Sequence, residues 1–321
     1  VEYREVCRDY RIRQYRTEEC GNLYAYVIER CFDALRPNAR IGMIVQLPIV
    51  CTDRMITLQN ECLSQTSNIW FATFDDRPAR LFDGLEHIRA TVFTGKKGAQ
   101  DTRHVFATSY NRWYSETRDV LFNTLCFADI SDYLMRGAIP KIGQEQGKRV
   151  RDRLSHFKSV RMSLAGALRG VRIYFHNAPQ YWIRAMDFAP YFWNERAGEQ
   201  LSTQVKTVSL SSTVDAAVLV AALNSSLFYW WFIILSDCRH LNMREIETFP
   251  LGLAEMPDQM KHRLSELTRR LSADLKRHKN RKECQYKTTG RVVYDEFYPK
   301  HSKSIIDQID EMLATHYGFT D

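Results

Sequence analysis

Paired cysteines, long apolar runs and an apolar leader are all missing from this chain. Its eight cysteines (Cys7, Cys20, Cys31, Cys51, Cys62, Cys126, Cys238 and Cys284) include no Cys-x-x-Cys pair. Neither a zinc ribbon nor a small disulfide scaffold is therefore expected, and reduced intracellular thiols are the default. The longest apolar run, Leu227–Leu235, falls far short of the roughly 20 residues that span a bilayer. The chain opens VEYREV, acidic and basic mixed, without the apolar h-region of a signal peptide. A soluble, cytoplasmic protein with no membrane partner is the expectation. Sequence repeats and low-complexity segments are also missing. So is a paired acidic-lysine cluster of the kind that holds magnesium in a nuclease, and no metal site is expected.

What is present suffices for a substantial core. A chain of 321 residues, 45% hydrophobic, most plausibly holds two domains. Its net charge of +7 is a modest hint of a polyanionic partner. The chain begins without methionine and stops abruptly at Asp321, which reads as a fragment cut from something longer.

Residues 20 to 95 read as α/β. Leu23, Val27, Ile28, Cys31 and Leu35 recur at helical spacing and Pro37 ends that helix. Ile41–Leu47 is apolar enough for a buried strand. A helix is expected over Asp53–Leu63, and strands over Asn68–Phe74 and Ile88–Phe93 with Phe82-Asp83-Gly84 in the loop between them. Gly95–Gly98 marks an exposed turn and a domain boundary. The middle of the chain is mixed, with strands at Val171–His176 and Gln204–Leu210. From Pro257 it turns charged and helical, with Leu264, Leu267, Leu271 and Leu275 at spacings of three and four and a final helix over Ser304–Tyr317.

Charge is concentrated in two places. Between Lys141 and Arg172 stand nine basic residues (Lys141, Lys148, Arg149, Arg151, Arg153, Lys158, Arg161, Arg169 and Arg172) against Glu145 and Asp152. Tyr174, Tyr181, Trp182 and Trp193 follow. Cations release counterions from phosphate, and planar side chains read bases, so one-sided charge with glycines at 143, 147, 166 and 170 points to a nucleic-acid contact. A solvated helix face is the competing explanation. Lys276–Arg291 is the second basic stretch, with phosphate contact and plain solvation both open.

Residues 223 to 251, LNSSLFYWWFIILSDCRHLNMREIETFPL, form the densest apolar-aromatic block. Asn and Ser cap helices, and Phe228, Trp230, Trp231 and Phe232 exceed what one exposed face tolerates. The aromatics therefore read as core. Arg239 either reaches DNA or braces the following helix, and bracing is preferred for His240.

In order along the chain, GNLYAYVIERCFDALRPNARIGMIVQLPIV, RLFDG, DFAPYFWNERAGE, the 223–251 block and YDEFYPKHSKSIIDQIDEMLATHYGFT resemble the C-terminal part of type IIG-like N6-adenine DNA methyltransferases. In these enzymes modification and DNA specificity share one polypeptide. The resemblance covers most of the chain, most poorly over Ala99–Leu164. Asn22-Leu23-Tyr24 and Ile41–Pro48 match the family's helix and strand, although Asn38-Ala39 replaces its glycine pair. The implied fold is α/β: the last strands and hairpin of a class I (Rossmann-like) methyltransferase domain over residues 1–98, an α+β target-recognition domain over 99–253, and a charged helical region over 254–321.

The resemblance also implies roles. Asn22 and Tyr24 would lie near the cofactor and target-base pocket, and Phe82 would stack on an adenine extruded from the duplex, which must leave the stack to be methylated. The competing role for Phe82 is to cap the hydrophobic core. Lys141, Lys148, Arg149, Arg151, Arg153, Lys158, Arg161 and Arg239 would contact double-stranded DNA. The family's glycine-rich turn for S-adenosylmethionine and its Asn-Pro-Pro-aromatic loop are not in this sequence. The loop is expected just before Val1, so S-adenosylmethionine belongs to the parent enzyme and the remainder of that polypeptide is a partner. No catalytic residue is assigned here, and this chain alone should not methylate. The alternative is a non-catalytic DNA-specificity module of a multi-subunit restriction system.

Overall fold

The first helix follows from one capping side chain. Asn22 has extended backbone and its side chain accepts a hydrogen bond from the Tyr24 amide (3.3 Å), and α1 runs over Leu23–Ala34. An Asn there satisfies an amide that the helix leaves unbonded. Ala25, Tyr26, Ile28 and Phe32 are buried on the inner face. The computed structural model describes residues 4–5, 15–84, 86–98, 103–165, 170–179 and 181–319. It divides the chain into two compact units, the first comprising 1–151 with 233–237 and the second 152–232 with 238–321.

In the first unit, β1 (Arg40–Gln46), α2 (Ile56–Gln65), β2 (Thr66–Phe74), β3 (Ala90–Lys97), β4 (His104–Asn111) and β5 (Phe127–Asp129) follow α1, and α3 (Glu145–Ser155) closes it. The five strands form one sheet in the order β1-β3-β2-β4-β5. β3 is antiparallel to both of its neighbours, so β1 and β2 run the same way with β3 inserted between them. Parallel strands need a crossover, and α2 supplies it. β2 is central and buried on both faces, carrying Ile69, Phe71 and Phe74 into the core. At its end Phe74 joins Ala72, Leu81, Ala90, Trp113 and Leu121 in an apolar cluster.

Two expectations change here. Ile41–Leu47 reads as a buried strand, yet β1 lies at the sheet edge among the described residues and Ile44 is 53% exposed. An apolar run cannot report its place in a sheet, because edge and centre differ only in which strands arrive beside it. The boundary expected at residue 98 is also absent: β4 pairs in parallel with β2 and continues the same sheet.

The second unit contains β6 (Val171–His176), β7 (Ala185–Met186), β8 (Phe192–Asn194), β9 (Gly198–Glu199) and β10 (Val205–Leu210). Helices α4 (Thr213–Asn224), α5 (Ser226–Leu235, its last three residues in the first unit), α6 (Met243–Glu247) and α7 (Asp258–His278) follow, then β11 (Asn280–Tyr286), β12 (Gly290–Glu296) and α8 (Lys303–Tyr317). Strands β10-β6-β7 form one sheet and β11-β12-β8-β9 another. The region expected to be charged and helical after residue 254 also carries a β-hairpin. Most of its outward residues are charged or polar, so no apolar alternation betrays it. α4 is buried from Val218 to Asn224, as a helix apolar on all sides must be. Leu264, Leu267, Leu271 and Leu275 form the buried stripe of α7.

Phe228, Trp231 and Phe232 are core, with Phe228 and Trp231 edge-on to Phe249 at 5.0 and 5.8 Å. Of the two potential caps Asn224 and Ser225, only Ser225 starts a helix, α5. Asn224 ends α4 and ties to the Ala185 and Val220 carbonyls, while the Ser225 hydroxyl accepts from the Phe228 amide (3.0 Å). Among the described residues no single helix is long and apolar enough to cross a membrane.

Candidate nucleic-acid interface

The loop between β2 and β3 is built to present a side chain. Leu81 is buried in the core cluster, while its neighbour Phe82 is 40% exposed. Arg118 donates to the Arg80 and Leu81 carbonyls (3.4 and 2.7 Å), and the Ala79 amide donates to the Trp113 carbonyl (3.2 Å). At the base of the loop, Asp75 accepts from Arg89 Nε (3.2 Å) and Arg112 Nε (2.9 Å). Burial by itself would raise the Asp75 pKa, but hydrogen bonds from Tyr110 and Asp76 and the two guanidinium groups hold it below the usual carboxylate range. Arg118 and the Asp75 cluster were not singled out in the sequence. The one available signal was an acidic pair directly after a strand, with arginines on either side of the aromatic.

Asn22 and Tyr24 share α1, but the fold already engages both. The Asn22 side-chain oxygen caps the helix, and the Tyr24 hydroxyl points to Met55 Sδ at 3.5 Å. Burial, with Cys20, Cys51 and Cys62 near, pushes the Tyr24 phenol well above its ordinary range. A helix cap and a phenol packed on a thioether do not make a cradle for S-adenosylmethionine, and no step through that cofactor is derived from these residues.

The basic stretch sorts into three groups. Lys141 is 2% exposed, and its ammonium donates to the Ile234 and Ser236 carbonyls (3.2 and 2.8 Å). It fastens the 233–237 segment and is not available to phosphate, which corrects its assignment as a DNA contact. Several others are engaged locally. Lys148 pairs with Glu145 (3.0 Å) and lies over the Tyr133 ring (5.9 Å), Arg151 lies 3.6 Å from Met135 Sδ, and Lys158 and Arg161 pair with Glu255 (3.5 Å) and Glu247 (2.9 Å). Arg149 and Arg153, four apart on α3, are exposed, and among the described residues no carboxylate pairs with either. Arg239 is exposed after Cys238, whose φ is 58°. Arg169 and Gly166 lie outside the described residues.

Two glycines of this stretch, Gly143 and Gly170, are explained by packing inside the fold. A Cβ on Gly143 would sit 2.3 Å from the Ser109 amide nitrogen, and one on Gly170 would sit 2.8 Å from Ser209 Cβ. Both allow close backbone approach inside the fold. The second basic stretch is mostly neutralised as well: Lys279 and Arg281 pair with Asp295, Lys282 with Glu296, and Arg291 with Glu283. All seven cysteines among the described residues are free thiols, and no group of metal-ligating side chains occurs among the described residues.

No family model matches the sequence, and no curated protein is detectably similar to it. Solved structures similar in part include the following. The type IIL restriction-modification enzyme MmeI in complex with DNA aligns with 93% of this chain and 49% of its own, at 8% identity and a TM-score of 0.43. The type IIG restriction endonuclease BpuSI aligns with 92% of this chain and 49% of its own, at 10% identity and a TM-score of 0.27. A DrdV–DNA complex covers 94% of this chain and 44% of its own, at 10% identity and a TM-score of 0.36. This chain thus spans about half the length of the solved proteins it matches or less. Likeness at this level decides neither fold nor function.

Proposed function

We propose that these residues are the base-holding and target-recognition part of a sequence-specific N6-adenine DNA methyltransferase of the restriction-modification type. Double-stranded DNA is the partner, and S-adenosylmethionine is the methyl donor of the whole enzyme. Phe82 stacks on the extruded adenine, while Arg149, Arg153 and Arg239 meet phosphate or base edges.

The observation that carries this reading is the strand order β1-β3-β2, with the exposed Phe82 in the loop between β2 and β3. The resemblance calls for a strand followed by a final hairpin with an aromatic in its turn, and that order agrees with it. The edge strand β1 agrees too. Ile44 is 53% exposed there, and Val27 and Leu23 on α1 are 51% and 40% exposed, an apolar margin suited to further strands of the same sheet. The non-catalytic specificity module, which needs no base-stacking loop, is less well served by the pinned and exposed Phe82.

The test is selection from a pool of random duplexes by the full chain. One enriched motif containing adenine is expected, with 2-aminopurine fluorescence rising when the probe replaces that adenine. Recovery of the pool without sequence preference would overturn the proposal.

A further inference from the structure

The second unit carries an open cavity of about 740 Å³ that none of these roles uses. Its walls come from the β6–β7 connection, the start of β8, the start of β10 and the end of β12. Aromatic rings line much of it, including Tyr181, Trp182, Tyr191, Tyr294 and Tyr298. Ligand sites are concave, mostly apolar and of this size, with a few polar groups that fix orientation.

Two polar atoms of the lining residues lack partners. The Trp182 indole N–H and the Arg184 Nε–H are both buried without an acceptor. Among the described residues no carboxylate forms an ion pair with Arg184, whose guanidinium rests 5.4 Å over the Phe297 ring. Glu296, also on the wall, pairs with Lys282 (2.6 Å). Burial pulls the Arg184 pKa down to about 10, with Glu296 opposing. His176 Nδ1 accepts from the Ala178 amide (3.2 Å), and burial with the Arg184 charge lowers its pKa to about 4, so at neutral pH the ring is uncharged. A buried donor without an acceptor is costly, and a buried cation without an anion more so. Rings lining a pocket that holds such a cation favour a planar ligand with acceptor oxygens and negative charge.

We propose that this cavity binds a nucleotide, its base against the aromatic wall and its phosphate or carbonyl oxygens on Arg184 and Trp182. Every base has a π-face, so an aromatic wall takes one irrespective of sequence. The same chemistry arrives from two sources, a free mononucleotide or a base splayed from a strand. The site is independent of the role given to Phe82.

The full chain is titrated with the four deoxynucleoside monophosphates, their unphosphorylated nucleosides, short single-stranded oligonucleotides and salicylate, followed by calorimetry and tryptophan fluorescence. Saturable one-to-one binding of a nucleotide is expected, weakened about tenfold or more when the phosphate is removed. Binding only of oligonucleotides would support the site and assign the strand as its source. Trp182→Phe keeps the ring and loses the N–H, and should weaken binding about three- to tenfold. Arg184→Lys keeps the charge and loses the planar fork, with a larger loss. Circular dichroism checks that both variants fold, and Trp182→Phe suffices if Arg184→Lys does not. No saturable binding of nucleotide or oligonucleotide at millimolar concentration overturns the proposal. So does salicylate binding as tightly as any nucleotide, or affinity unchanged in Trp182→Phe. Failure of the duplex selection alone leaves this site standing.

Discussion

Lys141 and Arg149 stand eight residues apart in one basic stretch and do opposite things. The Lys141 ammonium holds two carbonyls in the protein interior, whereas Arg149 faces solvent, as does Arg153. Removing a buried donor leaves its acceptors unsatisfied, at about 1–3 kcal/mol. Lys141→Ala is therefore expected to lower stability by at least that amount in urea unfolding and to leave the salt dependence of DNA binding unaltered. Arg149→Ala and Arg153→Ala should do the reverse. Each leaves the unfolding midpoint in place and reduces the slope of log K against log salt by about 1. Phe82→Ala belongs with the arginines, because its ring is 40% exposed. The variant should stay folded and lose the 2-aminopurine signal, and a retained signal would remove Phe82 from the stacking role.

At the scale of elements, the β2–β3 loop is fixed by a carboxylate at its base. Asp75 has its folded pKa depressed, so its contribution is complete above the unfolded value and is lost as pH falls through the folded one. Asp75→Asn should therefore destabilise the chain at neutral pH, and its deficit against the parent should shrink as the pH is taken below about 4. Equal deficits at pH 7 and pH 3 in chemical denaturation would contradict the network. Gly143 shows a second device. It lies before α3 against the β4 backbone, so Gly143→Ala must displace the Ser109 peptide and is expected to cost about 1–3 kcal/mol. Elements were legible where their period was strong. The apolar runs of β1 and β2 and the leucine stripe of α7 lie within a few residues of where the sequence put them. The β11–β12 hairpin was not, because NRKECQY carries charge on both faces and offers no apolar alternation.

Over the whole molecule, the net charge of +7 makes association with a polyanion favourable at low salt. Binding of the full chain to duplex DNA is expected to weaken steeply from about 50 to 200 mM salt, and a flat response would deny phosphate contact altogether. The two compact units were harder to read than the charge. A glycine-lysine turn near residue 98 looks like a linker, but β4 enters the sheet beyond it and the division falls within α3. The sequence by itself determined the α/β character, the strands β1, β2, β3, β6 and β10, the helices with a strong apolar period, the aromatic core around Phe228 and Trp231, and the overall sign of the charge. All of these depend on residue type and on periods of two or 3.6 residues, which are local. Only the tertiary structure decided which cations remain for a ligand. Lys141 meets Ile234, Arg161 meets Glu247 and Arg118 meets Leu81 across dozens of intervening residues. Burial and pairing at that range follow from how the chain folds back on itself, which no local spacing encodes.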